Sequence, residues 1–543
     1  MPITDLLERN AHEFCHETAL VEINPEVKEI RRVTWKEYEL IESSPTESYR
    51  REITWGVFDE KANRCANLLL SRGIKKGDKV AILMMNSLEW LPLYFGILKT
   101  GALAVPLNFR YTAEEIKYCL ELADVDALFF GPEFIGRVED ICDKIPRVKL
   151  RFFIGDGCPR FAENYMHLAA NLSSYPPRIL LSDDDDAAIY FSSGTTGFPK
   201  AILHTHRALM HAAKVEQAHH GQTHDDVFLC IPPLYHTGAK MHWFGSLISG
   251  SKGILLKGTD PKTIIETVSN EKCTIVWLLV PWVQDILDAI DDAESTSKTT
   301  NSRSGGSCTS ARSPCRRASY RDGAASSRAT STTRTTASRN PSAPAASTSH
   351  RQHRQGRRDR RPRLRLARQD SEREGRRDHR RSVGELAAKG PGVMKCYYND
   401  PEATDAVLKN GWLLTGDMAR QDESGFIYLV DRKKDVIISG GENIYPVQIE
   451  DFLRANNAIK DAAVIGLPDK RLGEIAAAII ELKPGAQCTE ADIEDFCMAL
   501  PRYKRPRRII FADIPRNPTG KIEKPKLRQM YRADNLVARQ TNA

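Results

Sequence analysis

The chain has 543 residues, 41% of them hydrophobic and 27% charged, with a formal net charge of +7. That length is too great for one hydrophobic core and implies at least two domains, and the composition excludes a fibrous or wholly disordered chain. The positive charge is confined to one segment: Thr296–Ser382 holds 22 Arg, one Lys and six acidic residues, a net +17, which leaves the rest at −10 and without a call for nucleic acid or an anionic membrane.

Residues Met1 to Glu8 lack a basic stretch leading into an apolar one, so no secretion signal is read. Val57 to Ser71 has apolar residues at helical spacing and stops at Gly73. Lys79–Met85 reads as a short apolar strand. Leu88–Lys99 reads as a buried helix ended by Gly101, and Thr112 with Glu115 forms a capping-box signature for the next helix. Asp126–Phe130 is again a strand. This alternation predicts an α/β region with a largely parallel sheet. The acidic run Asp183–Asp186 reads as a solvated approach loop. No run of about 18 uncharged apolar residues occurs; the nearest, Trp90–Leu107, contains Lys99. Twelve cysteines without a Cys-x-x-Cys pair point to neither a zinc site nor disulfides, and to a reducing cytoplasm.

After the apolar run Ala187–Phe191 comes Ser192-Ser193-Gly194-Thr195-Thr196-Gly197-Phe198-Pro199-Lys200. Glycines let backbone N–H groups approach phosphate oxygens, hydroxyls add donors, and Lys200 adds charge. The spacing is not that of a Walker A loop. The tract Thr296–Ser382 contains no Val, Ile, Phe, Trp or Met and only Leu364 and Leu366, so it cannot bury a core and reads as disordered. One reading is an Arg-rich nucleic-acid arm; another is sequence translated out of frame from GC-rich DNA. Beyond it lies a smaller unit. Short strands are expected at Gly425–Val430, Asp435–Ile438, Asp461–Leu467, Ile475–Leu482 and Arg508–Phe511. Helices are expected at Pro446–Ala455, with proline in its first turn, and near Thr489–Leu500.

The loop at Ser192–Lys200 resembles the phosphate loop of the adenylate-forming superfamily, which includes acyl-CoA synthetases and luciferases. Further motifs match that family in order. Pro233-Leu234-Tyr235-His236-Thr237-Gly238 is similar to its acyl-pocket motif, and Gly411–Asp417 to its ribose motif. Asp431-Arg432-Lys433-Lys434-Asp435 resembles its hinge, Ser439–Asn443 the loop that follows, and Asn517–Lys521 its C-terminal lysine motif. The resemblance covers residues 50–295 and 383–530. It implies a large α/β N-terminal domain with parallel-sheet-rich subdomains over 1–431, and a small, mobile α+β C-terminal domain over 432–543.

The implied reaction joins a carboxylate to the α-phosphorus of Mg-ATP, releasing pyrophosphate, and then lets the thiol of coenzyme A displace AMP. An anion must meet a polyanion, so positive charge is needed at the reacting centre. The resemblance gives that place to Lys521. Ser192, Ser193, Gly194, Thr195, Thr196, Gly197 and Lys200 would cradle phosphate, Asp417 would accept the ribose hydroxyls, and Arg432 would help hold the nucleotide. His236 would line or gate the acyl pocket, with an ordinary core histidine as the alternative. Trp243-Phe244-Gly245 suggest an apolar acyl or aryl group. Lys434 would be the pivot, and Gly440-Gly441 would let pantetheine approach the backbone, with a plain hairpin turn as the alternative. No residue is assigned to a metal, although Mg²⁺ accompanies ATP. The partner is a small carboxylic acid, with no nucleic acid and no integral membrane segment. A stand-alone enzyme loading a carrier protein is the second functional reading.

The tract departs from the family. Codons for the family's Tyr-Gly-Leu-Ser-Glu-Ser, read one base late, encode Thr-Ala-Ser-Arg-Asn-Pro, which is Thr336–Pro341 here. A two-base offset on codons for Lys-Val-Gly-Ala-Ile-Gly-Val-Pro yields Gln355–Pro362, and the family pattern returns at Val383. The motif that would stack adenine and supply a Mg²⁺ carboxylate is therefore missing. The chain as written is expected to be impaired.

Overall fold

Lys79-Val80-Ala81-Ile82-Leu83 is apolar at every interior position because both of its faces are covered. In the computed structural model, which describes residues 1–27, 33–36, 39–42, 49–192, 199–278, 282–291, 363–367, 383–516 and 522–531, this strand lies inside an eight-stranded sheet. Val80 and Ile82 enter one core; Ala81 and Leu83 enter another. The neighbouring strands repeat the split, with Phe129 and Phe152 on one side and Phe130 and Phe153 on the other. Two-sided burial is the usual state of parallel strands. Here Leu103–Pro106, Lys79–Leu83, Ala127–Phe130, Leu150–Phe153 and Glu163–Asn164 are parallel neighbours, joined in parallel at one edge by Asp186–Ser192.

Contacts divide the chain into two units, Met1–Pro362 with Gly390–Ala406, and Arg363–Lys389 with Val407–Ala543. The first also holds a five-stranded sheet in the order Ile275–Val276, Val227–Cys230, Lys252–Leu256, Thr18–Ile23 and Arg50–Thr54, parallel except at the last pair. Helices Thr237–Ser249 and Pro261–Asn270 make two of its crossovers. The expected helix at 57–71 begins at Trp55, where Thr54 caps it by accepting the Val57 N–H. The buried helix runs Trp90–Lys99, and the capping box of Thr112 and Glu115 is present.

The second unit contains an antiparallel sheet in which Trp412–Gln421 pairs with Gly384–Lys389, Leu408–Lys409 and Ile427–Arg432. Its other sheet joins Glu442–Ile444, Ile437–Ser439, Gly473–Leu482 and Ile459–Asp469, with Arg508–Phe511 added in parallel. Ala462 and Val464 face helix Pro446–Arg454 through Ile449 and Leu453; Ala463 and Ile465 face helix Lys524–Tyr531 through Leu527. The expected boundary at 431/432 falls inside strand Ile427–Arg432, one residue before its end, and the second sheet begins at Ile437. Most of the Arg-rich tract lies outside the described residues. Its five described residues, Arg363–Ala367, form a strand paired with Gly384–Lys389, which differs from the expectation of no regular structure; alternation of Leu364 and Leu366 suits a strand.

Trp243 is fully buried between Phe58 and Phe95. Its indole lies against Gly253, where an added Cβ would come within 2.7 Å of Nε1. Gly253→Ala should therefore destabilise the first unit by about 1–3 kcal/mol through overpacking. Equilibrium denaturation checks this, and an unchanged midpoint would contradict the packing argument.

Candidate active site

Asp186–Ser192 and Lys200–Thr205 form an antiparallel hairpin with Ser192 opposite Lys200. The loop residues Ser193, Gly194, Thr195, Thr196, Gly197 and Phe198 lie outside the described residues. At the base of the hairpin, Lys200 Nζ sits 3.8 Å from Asp400 Oδ2 and 4.9 Å from the centre of the Tyr397 ring. The strand Cys396–Tyr397 lies alongside Lys200–Thr205. Neither partner was legible in the sequence, because both arrive from far along the chain. The acidic run beside the hairpin is not a free solvated loop. Asp183 and Asp184 pair with Arg207, Asp185 with Lys76, and Asp186 with Lys395. Exposed pairs of this kind contribute little each, but they tether four segments.

His236 precedes helix Thr237–Ser249 and caps it, its Nδ1 accepting the Gly238 N–H at 3.1 Å. Tyr235 meets Phe109 edge-on at 5.3 Å, and burial pushes its phenol up to about 12. Among the described residues, the apolar stretch that follows packs into the core. Trp243 and Phe244 belong to the main core, and a Cβ on Gly245 would strike Gln222. Helical spacing alone could not tell a core face from a pocket face. The same face carries Lys240, which is fully buried. Its Nζ lies 4.0 Å from the Tyr190 ring, 4.4 Å from Tyr94 and 5.3 Å from Trp90, with no hydrogen-bond partner among the described residues.

In the second unit, Asn410 and Gly411, with φ of 53° and 74°, turn the chain from Leu408–Lys409 into Trp412–Gln421. This Asn-Gly turn suits the twist of a two-residue hairpin. Gly416 also has positive φ, 74°. Its N–H donates to Glu385 Oε1 at 3.1 Å and its carbonyl accepts the Lys433 N–H at 2.9 Å. Lys433 Nζ returns to Glu385 Oε2 at 2.9 Å. These bonds fix the backbone just before Asp417, whose N–H donates to Thr415 Oγ1. Asp417 stands opposite Arg432 in the ladder, with Nε 3.1 Å from Oδ1. A nearly buried, acceptor-only carboxylate beside a guanidinium fits a diol next to a phosphate. Glu385 is a positioning residue that the sequence reading missed; its position directly after Gly384, where the family pattern resumes, was the available signal.

Asp431 accepts from the Val447 N–H at 2.9 Å, in the first turn of helix Pro446–Arg454, and burial raises its pKa. Burial would also raise Asp435, but Lys524 and Arg528 outweigh it and hold that carboxyl low; Arg528 donates to it at 2.8 Å. Between these acids Lys434 is exposed. Gly440 and Gly441, with φ of 58° and 86°, form a two-residue turn between Ser439 and Glu442. The Gly440 N–H is tied to Leu472 O at 2.8 Å, while a Cβ on Gly441 would meet nothing within 4 Å. That opening fits close approach of a pantetheine chain. Lys521 and the rest of Asn517–Lys521 lie outside the described residues.

A family model for AMP-binding enzymes matches residues 7–398, and one for the AMP-binding enzyme C-terminal domain matches residues 448–521. A long-chain-fatty-acid–CoA ligase of Mycobacterium tuberculosis is 32% identical over 485 residues, 89% of this chain and 93% of the relative. The solved Mycobacterium tuberculosis fatty acyl CoA synthetase superposes with a TM-score of 0.65 at 26% identity, covering 98% of this chain and 99% of that one. ATP-bound MatB from Rhodopseudomonas palustris shares the fold, with a TM-score of 0.74 at 24% identity over 98% and 100% of the two chains. The chain belongs to the AMP-binding enzyme family, as an AMP-forming acid–CoA ligase that uses ATP, Mg²⁺ and coenzyme A. Among the described residues, no helix is long and apolar enough to cross a membrane.

Burial holds Lys240 well below the ordinary lysine pKa. The unfolded chain thus binds more protons up to about pH 10.4, and this group makes stability rise with pH toward that value. Lys240→Met keeps the volume and removes the unpartnered amine. It should stabilise the first unit by about 1–3 kcal/mol at neutral pH and flatten the alkaline rise. Urea unfolding at neutral and alkaline pH compares the two proteins; a destabilised variant contradicts the assignment.

Proposed function

We propose that the reaction runs on residues of the matched motifs, with Asp417 and Arg432 on the nucleotide and Lys521 supplying charge where the carboxylate meets the α-phosphorus. The observation that carries this reading is the cross-strand pair of Asp417 and Arg432, held in register by Glu385, Gly416 and Lys433. Ser192, Ser193, Gly194, Thr195, Thr196, Gly197 and Lys200 would bind the phosphates of ATP through backbone donors, hydroxyls and one ammonium. His236 would border the acyl group from its capping position. Gly440 and Gly441 would receive the pantetheine arm of coenzyme A. Lys434 would be the pivot of a small domain beginning at 432. The proposed division at 431/432 lies at the last residue of strand Ile427–Arg432, close to where one sheet ends and before the next begins at Ile437.

In the first step a carboxylate oxygen bonds to the α-phosphorus as the bond to pyrophosphate breaks. In the second, the sulfur of coenzyme A bonds to the acyl carbon, its proton is lost, and AMP leaves. Mg²⁺ would offset charge on the phosphates; the sequence Thr336-Ala337-Ser338-Arg339-Asn340 offers no carboxylate for it. The acid is a small molecule, and ten free thiols among the described cysteines support a reducing, cytoplasmic setting.

Lys521→Ala should slow adenylation about 10²–10³-fold, or about 3–4 kcal/mol. Pyrophosphate release in single turnovers, across a panel of carboxylates, measures it; wild-type rates would remove Lys521 from the reacting centre. The tract Thr296–Ser382 is proposed to be out of frame. Resequencing the gene should reveal compensating single-base shifts, and the corrected protein should outpace the chain as written. A clean read that encodes the same arginines would refute this.

A further inference from the structure

Helices His206–His220 and Thr237–Ser249 bring three metal-ligating side chains to one point. Glu216 and His220 are one helical turn apart and share a face; His242 comes from the other helix. Glu216 Oε2 lies 3.5 Å from His220 Nε2 and 3.7 Å from His242 Nε2. One ligand atom from each of the three residues lies within 4.8 Å of the others. Two atoms bound about 2.1 Å from a tetrahedral ion stand about 3.4 Å apart. The observed spacing is therefore already near that of a coordinated set. Glu216 and His242 are mostly covered, while His220 is exposed and leaves a route from solvent.

The second nitrogen of His242 sharpens the argument. Nδ1 lies 2.5 Å from the carbonyl oxygen of Gly238. A carbonyl only accepts, so Nδ1 carries the proton, and Nε2 of the neutral ring turns its lone pair toward the Glu216 carboxylate. Two acceptors facing each other need a cation between them, either a proton or a metal ion. Anchoring one imidazole nitrogen on a backbone carbonyl while the other faces the ion is the outer-shell pattern of histidine metal sites. The Trp277 ring, 5.3 Å from His242, covers one side.

We propose that Glu216, His220 and His242 form a binding site for a divalent transition-metal ion, zinc by the chemistry of two imidazoles and one carboxylate. A fourth position would hold water. The ion would clamp the helix capped by His236 to the helix before it. It is distinct from the Mg²⁺ that accompanies ATP, which prefers oxygen ligands and retains its waters.

The test uses the full-length, untagged protein, stripped with chelator and titrated with Co²⁺ alone and then with Zn²⁺ alone. One equivalent of Co²⁺ should bind with the visible absorption of a tetrahedral nitrogen and oxygen site, without thiolate charge-transfer bands, and Zn²⁺ should displace it. His220→Ala and Glu216→Gln should each weaken binding more than about 100-fold, with the wild-type circular dichroism retained. His220 is exposed, so its replacement leaves the helix packing intact. If the wild type takes up no more ion than the His220→Ala/His242→Ala double variant, or if the bands persist in that variant, the proposal is wrong and a proton bridges the cluster.

Discussion

Burial of both faces of the eight-stranded sheet fixes the register of the hairpin formed by Asp186–Ser192 and Lys200–Thr205. In Asp186–Ser192, Ala188 and Tyr190 enter one core and Ile189 enters the other. A slip of one residue would exchange all three between cores that are already filled. The position of Ser192, and of Lys200 opposite it, thus follows from apolar packing on two sides.

The second unit positions its residues by a different means. Around Asp417 the work is done by backbone hydrogen bonds, glycine turns and a carboxylate, Glu385, that ties a peptide N–H to an ammonium. Breaking one member of a partly buried charge network leaves its partner without compensation. The placement of Asp417 is therefore more sensitive to single polar substitutions than that of Ser192. Asp431 and Asp435 show how local this control is. They lie four residues apart, yet burial pushes one pKa up while two cations hold the other down.

Features written in a few adjacent residues were legible in the sequence. The capping box at Thr112, the proline opening helix Pro446–Arg454 and the glycine turn at 440–441 all depend on local backbone chemistry. So did the order of the family motifs, and with it the class of reaction. What escaped were relations between distant segments. Trp243 and Phe244 read as pocket residues in the sequence, whereas their helix packs them into the core, with Trp243 against Phe58 and Phe95. Nothing in the sequence singles out Lys240, whose burial follows only from the face its helix presents to the core. Tyr397 and Asp400 meet Lys200 only because a short strand returns to the sheet edge, and the acids at 183–186 looked solvated because their cations lie elsewhere in the chain.

That returning strand has a consequence for synthesis. Cys396–Tyr397 covers the outer edge of Lys200–Thr205, yet the ribosome makes it long after the strand it protects. Until residues 390–406 emerge, the first unit lacks a piece of its own sheet. An uncovered edge is a template for pairing with another chain. Vectorial folding of this enzyme thus leaves a sticky flank at the hairpin through the whole interval, and chaperone demand should concentrate there.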